Sequence, residues 1–228
     1  CATAKLKRMR NLEVAEIVDQ VALIDRQSKE YFDRPLTNIV FMGMGEPMMN
    51  YKNVVEAIHK ITKPEGLGMS PRRITVSTSG IPKMIKMLAD EEIKVKLALS
   101  LHSAIEHKRN DIMPFSEKFP LTDIMDSLQY WYQKTGSPIT FEYCVWKGIN
   151  DGDDDIKALI RYCRQVPSKV NLIQYNPIGE GKFDHRSISA EEKYVRELEK
   201  AGITIMVRKS RGGDIDAACG QLANKTAE

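Results

Sequence analysis

Apolar residues along this chain recur with two periods, and the switching between them is the main structural signal. In "NLEVAEIVDQVALIDRQSKEYF", Val14, Ile17, Val18, Val21 and Ile24 fall at helical spacing, which predicts a helix. A short apolar run, "TNIVFMGMGEP", follows and breaks off at Gly43. Beyond it the pattern predicts helices near 51–62, 81–91, 121–135, 153–165 and 190–201. Strands are predicted at "RITVSTSG", "VKLALSLHS", "ITFEYCVW", "KVNLIQYNP" and "ITIMVRKSR".

Repeated strand-then-helix units make a parallel sheet with its connections on the outside. The strands read as continuous apolar runs, which predicts burial on both faces. Each run then ends in polar residues or Gly, as in "GMGEP", "STSG", "SLHS" and "YNPIGEG". Barrels and open sheets of this class place their sites at those C-terminal strand ends. The expected fold is α/β, a barrel or partial (β/α) barrel of parallel strands. One rim should carry Glu46, Ser77, Ser100, His102 and Asn176.

Bulk properties narrow the class without deciding the function. A chain of 228 residues, 42% hydrophobic and 29% charged, can bury a core as one domain or two small ones. The net charge of +3 permits an RNA or phosphate partner but does not demand one. No apolar run reaches the roughly 18–20 residues needed to span a bilayer, and no secretory leader pattern is seen. Cys1, Cys144, Cys163 and Cys219 are scattered, unlike a disulfide framework, so a reducing cytoplasm is expected.

Several motifs invite a functional reading that their context weakens. "GMGEP" lacks the third Gly of a dinucleotide loop and runs at once into Pro47. Its Glu46 is well suited to grip an ammonium or a ribose hydroxyl. His102 follows a buried strand with no second ligand at metal spacing, which favours a hydrogen-bonded residue or a cofactor contact over a metal site. The acids of "NDGDDDIKAL" fail the calcium-loop pattern, because Tyr162 stands where the closing Glu belongs; helix capping explains them. Lys5, Lys7, Arg8 and Arg10 near one end, and Arg208, Lys209 and Arg211 near the other, form basic clusters that fit either a solvated face or a phosphate-gripping rim. Cys144 and Cys163 read as small buried hydrophobes. Cys219 does not, since it follows a Gly–Gly pair among small residues and no apolar stripe claims it.

Taken in order, "CAT", "GMGEPMMNY", "RRITVSTSG", "LALSLHS", "NLIQYNP" and "VRKSRGGDIDAACGQLA" closely resemble the radical S-adenosylmethionine (SAM) RNA methyltransferases that modify adenine at C2. The resemblance runs from Cys1 to about Ala223. It implies methylation of adenosine 2503 of 23S ribosomal RNA and, in some members, adenosine 37 of transfer RNA. It implies SAM and a 4Fe–4S cluster as cofactors, with Cys1 matching the last cysteine of the cluster loop. Gly45, Glu46, Ser77, Ser100, Leu101, His102 and Asn176 match the SAM contacts, and Cys219 matches the cysteine that carries the methyl group. On the same resemblance, residues 1–228 are the C-terminal, catalytic part of a longer protein. The first barrel strand, the other two cluster cysteines, the general base and a second catalytic cysteine would then lie upstream.

In that family the cysteine is methylated by one SAM and then activated by the radical made from another, because C2 of adenine is not nucleophilic. The implied partners are RNA and an electron donor for the cluster, with the protein a monomer and no membrane involved. The sister group that methylates C8 of the same adenine shares every motif quoted. A radical SAM enzyme with another substrate and a non-catalytic RNA-binding module are the remaining alternatives. The first has no need of a thiol at 219, and the second no need of a full set of SAM contacts.

Overall fold

The computed structural model describes residues 10–176, 188–209 and 221. Its backbone is one sheet of six parallel strands in sequential order: β1 Ile39–Phe41, β2 Ile74–Thr78, β3 Lys96–Ser100, β4 Ile139–Cys144, β5 Ser168–Ile173 and β6 Thr204–Arg208. Among the described residues, β1 and β6 are not paired to each other, so the wall is a partial barrel. Right-handed crossovers that always step in one direction carry every connection across the same face. The helices therefore gather outside and leave the other face as the inner wall.

Among the described residues, α1 Val14–Phe32 precedes the sheet and six helices make those connections: α2 Tyr51–Thr62, α3 Pro82–Asp90, α4 Glu106–Ile112, α5 Leu121–Thr135, α6 Asp153–Cys163 and α7 Ile188–Lys200. Local chemistry sets their ends. A capping box between Glu13 and Glu16 starts α1, and Asp33, with φ 52°, stops it in the left-handed region. Pro82 opens α3, and Gly136, with φ 64°, closes α5. No helix among the described residues is long and apolar enough to cross a membrane.

The sheet is two-faced. Outward positions Ile74, Val76, Leu97, Leu99, Phe141, Tyr143, Val170 and Leu172 join the helices in one apolar core. Each large side chain buried there contributes roughly 1.5–3 kcal/mol. Inward positions form mainly polar rows in register: Ser77, Ala98, Thr140, Lys169 and Thr204, then Ser100, Glu142, Asn171 and Met206. The predicted burial on both faces holds for the central strands. The inner face, however, is buried as polar residues, and β1 and β6 are partly or largely exposed.

The predicted elements all appear, with shorter strands, and one helix was not predicted. In α4 the buried residue is Arg109, so no apolar period marks it. The acids at the start of α6 are engaged as caps and ion pairs. Asp155 accepts from Gly152 N–H and pairs with Lys108 at 2.8 Å, Asp153 pairs with Lys193, and Asp151 accepts from Gly148 N–H at 3.0 Å. Cys144 and Cys163 are buried as expected, and burial pushes the Cys163 thiol up to about 12.

Candidate active site at the strand ends

The turn after β1 holds Gly43, Met44, Gly45 and Glu46. Gly45 has φ +95°, a conformation that a Cβ would strain, and a Cβ built on Gly43 or Gly45 meets nothing within 4 Å. The turn is thus open to a close approach by a ligand. Glu46 caps the 3₁₀ turn Pro47–Asn50 by accepting from Met48 N–H at 3.0 Å. Its other oxygen accepts from Ser79 N–H and Ser79 Oγ, both at 2.7 Å. Glu46 therefore ties the turn after β1 to the turn after β2. An ionised carboxylate offers roughly four lone-pair positions, so capacity remains for one further donor.

The next turn is shaped by packing. Ser77 is buried on the inner face, and Thr78 Oγ1 accepts from Gly80 N–H at 3.0 Å. A Cβ on Gly80 would come within 2.9 Å of Ile124 Cδ1, which would have to give way, and φ +98° at this position is a conformation that a side chain strains. Arg109, fully buried, donates from Nη2 to Ser79 O at 2.5 Å and to Ser100 O at 3.4 Å. It thereby fixes the ends of β2 and β3 to each other from the helix side.

After β3, Ser100 faces inward, while Leu101 is fully buried and donates its N–H to Glu142 O at 3.0 Å. His102 sits at φ 56°, in the left-handed region that costs a non-glycine residue roughly 1–2 kcal/mol. Neighbours hold it there. Its Nδ1 accepts from Cys144 N–H at 3.2 Å, and its carbonyl accepts from Asn150 Nδ2 at 2.6 Å. The imidazole lies edge-on to Trp146, with ring centroids 5.6 Å apart. Burial, then the charge of Arg109, lowers the His102 pKa to about 3. The ring is neutral, and with Nδ1 accepting, its proton is on Nε2.

Asn150 helps to shape this rim, and sequence reasoning missed it. Fully buried, it donates to His102 O and to Cys144 O at 2.8 Å, and it accepts from Trp146 N–H at 2.7 Å. Its own carbonyl accepts from Tyr194 Oη at 2.6 Å. Side chain and backbone of this one residue thus join the ends of β3 and β4 to α7. The short "GIND" loop gave no signal beyond a turn.

Asn176 lies three residues past β5 on the same rim, part-buried, with Nδ2 donating to Gln174 O at 3.3 Å. The structure thus gathers Gly45, Glu46, Ser77, Ser100, Leu101, His102 and Asn176 at the C-terminal strand ends. Leu101 does so through its backbone, since its side chain belongs to the core. Cys1 and Cys219 lie outside the described residues, as do Lys5, Lys7, Arg8 and Arg211. Arg10 is committed to Glu16, at 2.7 and 2.5 Å, and so serves the start of α1. Among the described residues, no group of three or more His, Cys, Asp or Glu side chains gathers as a metal site.

An open glycine turn, a carboxylate with spare capacity, inward hydroxyls and a neutral imidazole fit a zwitterionic nucleoside such as SAM. The chain is 66% identical over 227 residues to a probable dual-specificity RNA methyltransferase RlmN of Christiangramia forsetii, covering 100% of this chain and 64% of the relative. A protein of the same name from Flavobacterium psychrophilum is 64% identical over 225 residues, with 99% of this chain and 65% of the relative covered. A crystal structure of a radical SAM methyltransferase from Sphaerobacter thermophilus superposes with TM-score 0.93 at 39% identity, over 97% of this chain and 64% of that one. No family model matches the chain. The chain spans just under two thirds of these relatives' length. The likeness to them runs along the chain's own whole length and extends to its fold.

Proposed function

We infer that this chain is the catalytic segment of an enzyme that methylates C2 of adenine in RNA, with SAM as methyl donor. The RNA is 23S ribosomal RNA at adenosine 2503, and transfer RNA at adenosine 37. The observation that supports this most is the 66% identity, over the whole chain, to a relative named for RNA methylation. SAM with a 4Fe–4S cluster supplies a one-carbon unit and one-electron chemistry, which a non-nucleophilic carbon requires.

The chain's own residues have separable tasks in this reading. The Gly43–Gly45 turn admits the ligand, and Glu46 accepts from its amino group. Ser77 and Ser100 offer hydroxyls to a ribose. His102 acts as a donor through Nε2–H and not as a base, because its pKa of about 3 keeps it from holding a proton on Nδ1 near neutral pH. Asn176 completes the rim. Cys1 would be one cluster ligand, and Cys219 would carry the methyl group as a thioether. The enzyme works as a cytoplasmic monomer and takes electrons from a separate donor.

The test is nucleoside mass spectrometry of RNA from cells that lack their own adenine-C2 methyltransferase and express the whole protein. 2-Methyladenosine should appear in ribosomal and transfer RNA, and Cys219→Ala should return it to background. 8-Methyladenosine would move the protein to the sister group. No methylation, or full activity in Cys219→Ala, would reject the reading.

A further inference from the structure

Among the described residues, the inner wall holds a carboxylate oxygen that is buried without a hydrogen-bond partner. Glu142 is 3% exposed, in the middle of β4. Both of its polar contacts fall on one oxygen: Asn171 Nδ2 donates to Oε1 at 2.9 Å, and Arg208 Nη1 approaches Oε1 at 3.6 Å. Oε2 is buried with no hydrogen-bond partner. An orphan acceptor of this kind is costly, and a donor from a bound ligand would relieve that cost.

The surroundings say what donor fits. Burial pushes the Glu142 pKa up, against the opposing pull of Asn171, Arg208 and Lys169. With a guanidinium already beside Oε1 and Lys169 adding positive field, a second cation would be repelled. A neutral N–H is favoured. Register places Glu142 directly between Ser100 and Asn171, and Met206 comes next in the same row. Ser100 is a candidate contact for an adenosyl group, and Met206, 55% exposed, offers a thioether surface on which a flat ring can lie.

We propose that Glu142 is a specificity-determining residue whose Oε2 accepts a hydrogen bond from the exocyclic amino group of an adenine lying against the inner wall. This rests on the methyltransferase reading above. The adenine belongs either to the methyl donor or to the target nucleotide, since both carry the same amine. Asn171 orients the carboxylate through Oε1, which leaves Oε2 for the ligand. A hypoxanthine ring, with a carbonyl in place of the amine, would set an acceptor against an acceptor.

Calorimetry on the whole protein separates the two sources. One arm compares S-adenosylhomocysteine with S-inosylhomocysteine; the other compares RNA carrying adenosine or inosine at the target position. Wild type should favour the amine about ten- to a hundredfold in at least one arm. Glu142→Gln, in that arm, should bring the two ligands within about threefold of each other. Should Glu142→Gln melt, Glu142→Asp, which keeps the charge but retracts the oxygen by one methylene, makes the same comparison. The arm that responds identifies the source. Equal binding of amine and carbonyl ligands by wild type, or undiminished discrimination in the folded variant, overturns the proposal. A wild-type protein that binds neither S-adenosylhomocysteine nor RNA instead removes the methyltransferase reading on which it rests.

Discussion

The outer and inner faces of the same sheet solve opposite problems, and adjacent residues of β4 show it. Phe141 points outward, fully buried, with its ring 5.5 Å from that of Tyr162 and only apolar packing to offer. Glu142 points inward and is buried with one oxygen unpaired. The outer face stabilises the chain; the inner face gives up stability for polar groups placed where a ligand can reach them. The division is a consequence of the two-residue strand period, which lets one strand serve both purposes without compromise.

Truncation on the outer face should give the largest effect. Phe141→Ala is expected to cost about 3–5 kcal/mol of unfolding free energy, from lost burial and the cavity left behind. Chemical denaturation of the purified chain measures it. A loss below ~1 kcal/mol would mean that the outer face is not the core described here.

Glu46 comes next, and it sharpens the comparison because it works on both accounts. Glu46→Ala removes the cap on Met48 N–H and the two hydrogen bonds that join two turns, as well as the remaining acceptor. SAM affinity in the whole protein should fall about ten- to a hundredfold. Unchanged affinity by calorimetry would reduce Glu46 to a cap.

A third effect concerns pH. His102 has a folded pKa of about 3 against an ordinary 6.5, so the unfolded chain binds its proton first. The stability contributed by a neutral His102 is fully present above pH 6.5 and is lost as pH falls from there towards 3. His102→Gln should flatten the stability–pH profile across that window. A profile with the same slope in both proteins would assign the acid sensitivity to other groups.

The alternation of helix and strand was legible because each outward strand face and each helix stripe carries a full set of apolar residues, as in Val54, Ile58 and Ile61 of α2. Rim residues were legible because polar and Gly residues end the strands. What stayed hidden was buried polarity. "ITFEYCVW" reads as an apolar run although Glu142 faces inward, α4 turns inward on Arg109, and Asn150 sits in a loop. Hydrophobic periodicity detects apolar burial alone, and each of these groups is buried by its hydrogen-bonding role.

The smallest effect expected is at Ser77. Ser77→Ala should leave unfolding free energy within about 0.5 kcal/mol. It should weaken SAM binding by about three- to tenfold, the share of one neutral hydrogen bond. Loss of stability without loss of affinity would place Ser77 with the outer face in function, whatever its direction.

Hydrogen–deuterium exchange of the whole protein, with and without SAM, tests the division of faces most directly. Peptides covering 43–46, 77–80, 100–103 and 174–176 should gain protection when SAM binds. Peptides from the outer stripes of α2, α3 and α5 should not change. Protection confined to the helices, or absent from all four strand-end turns under saturating SAM, would contradict the account.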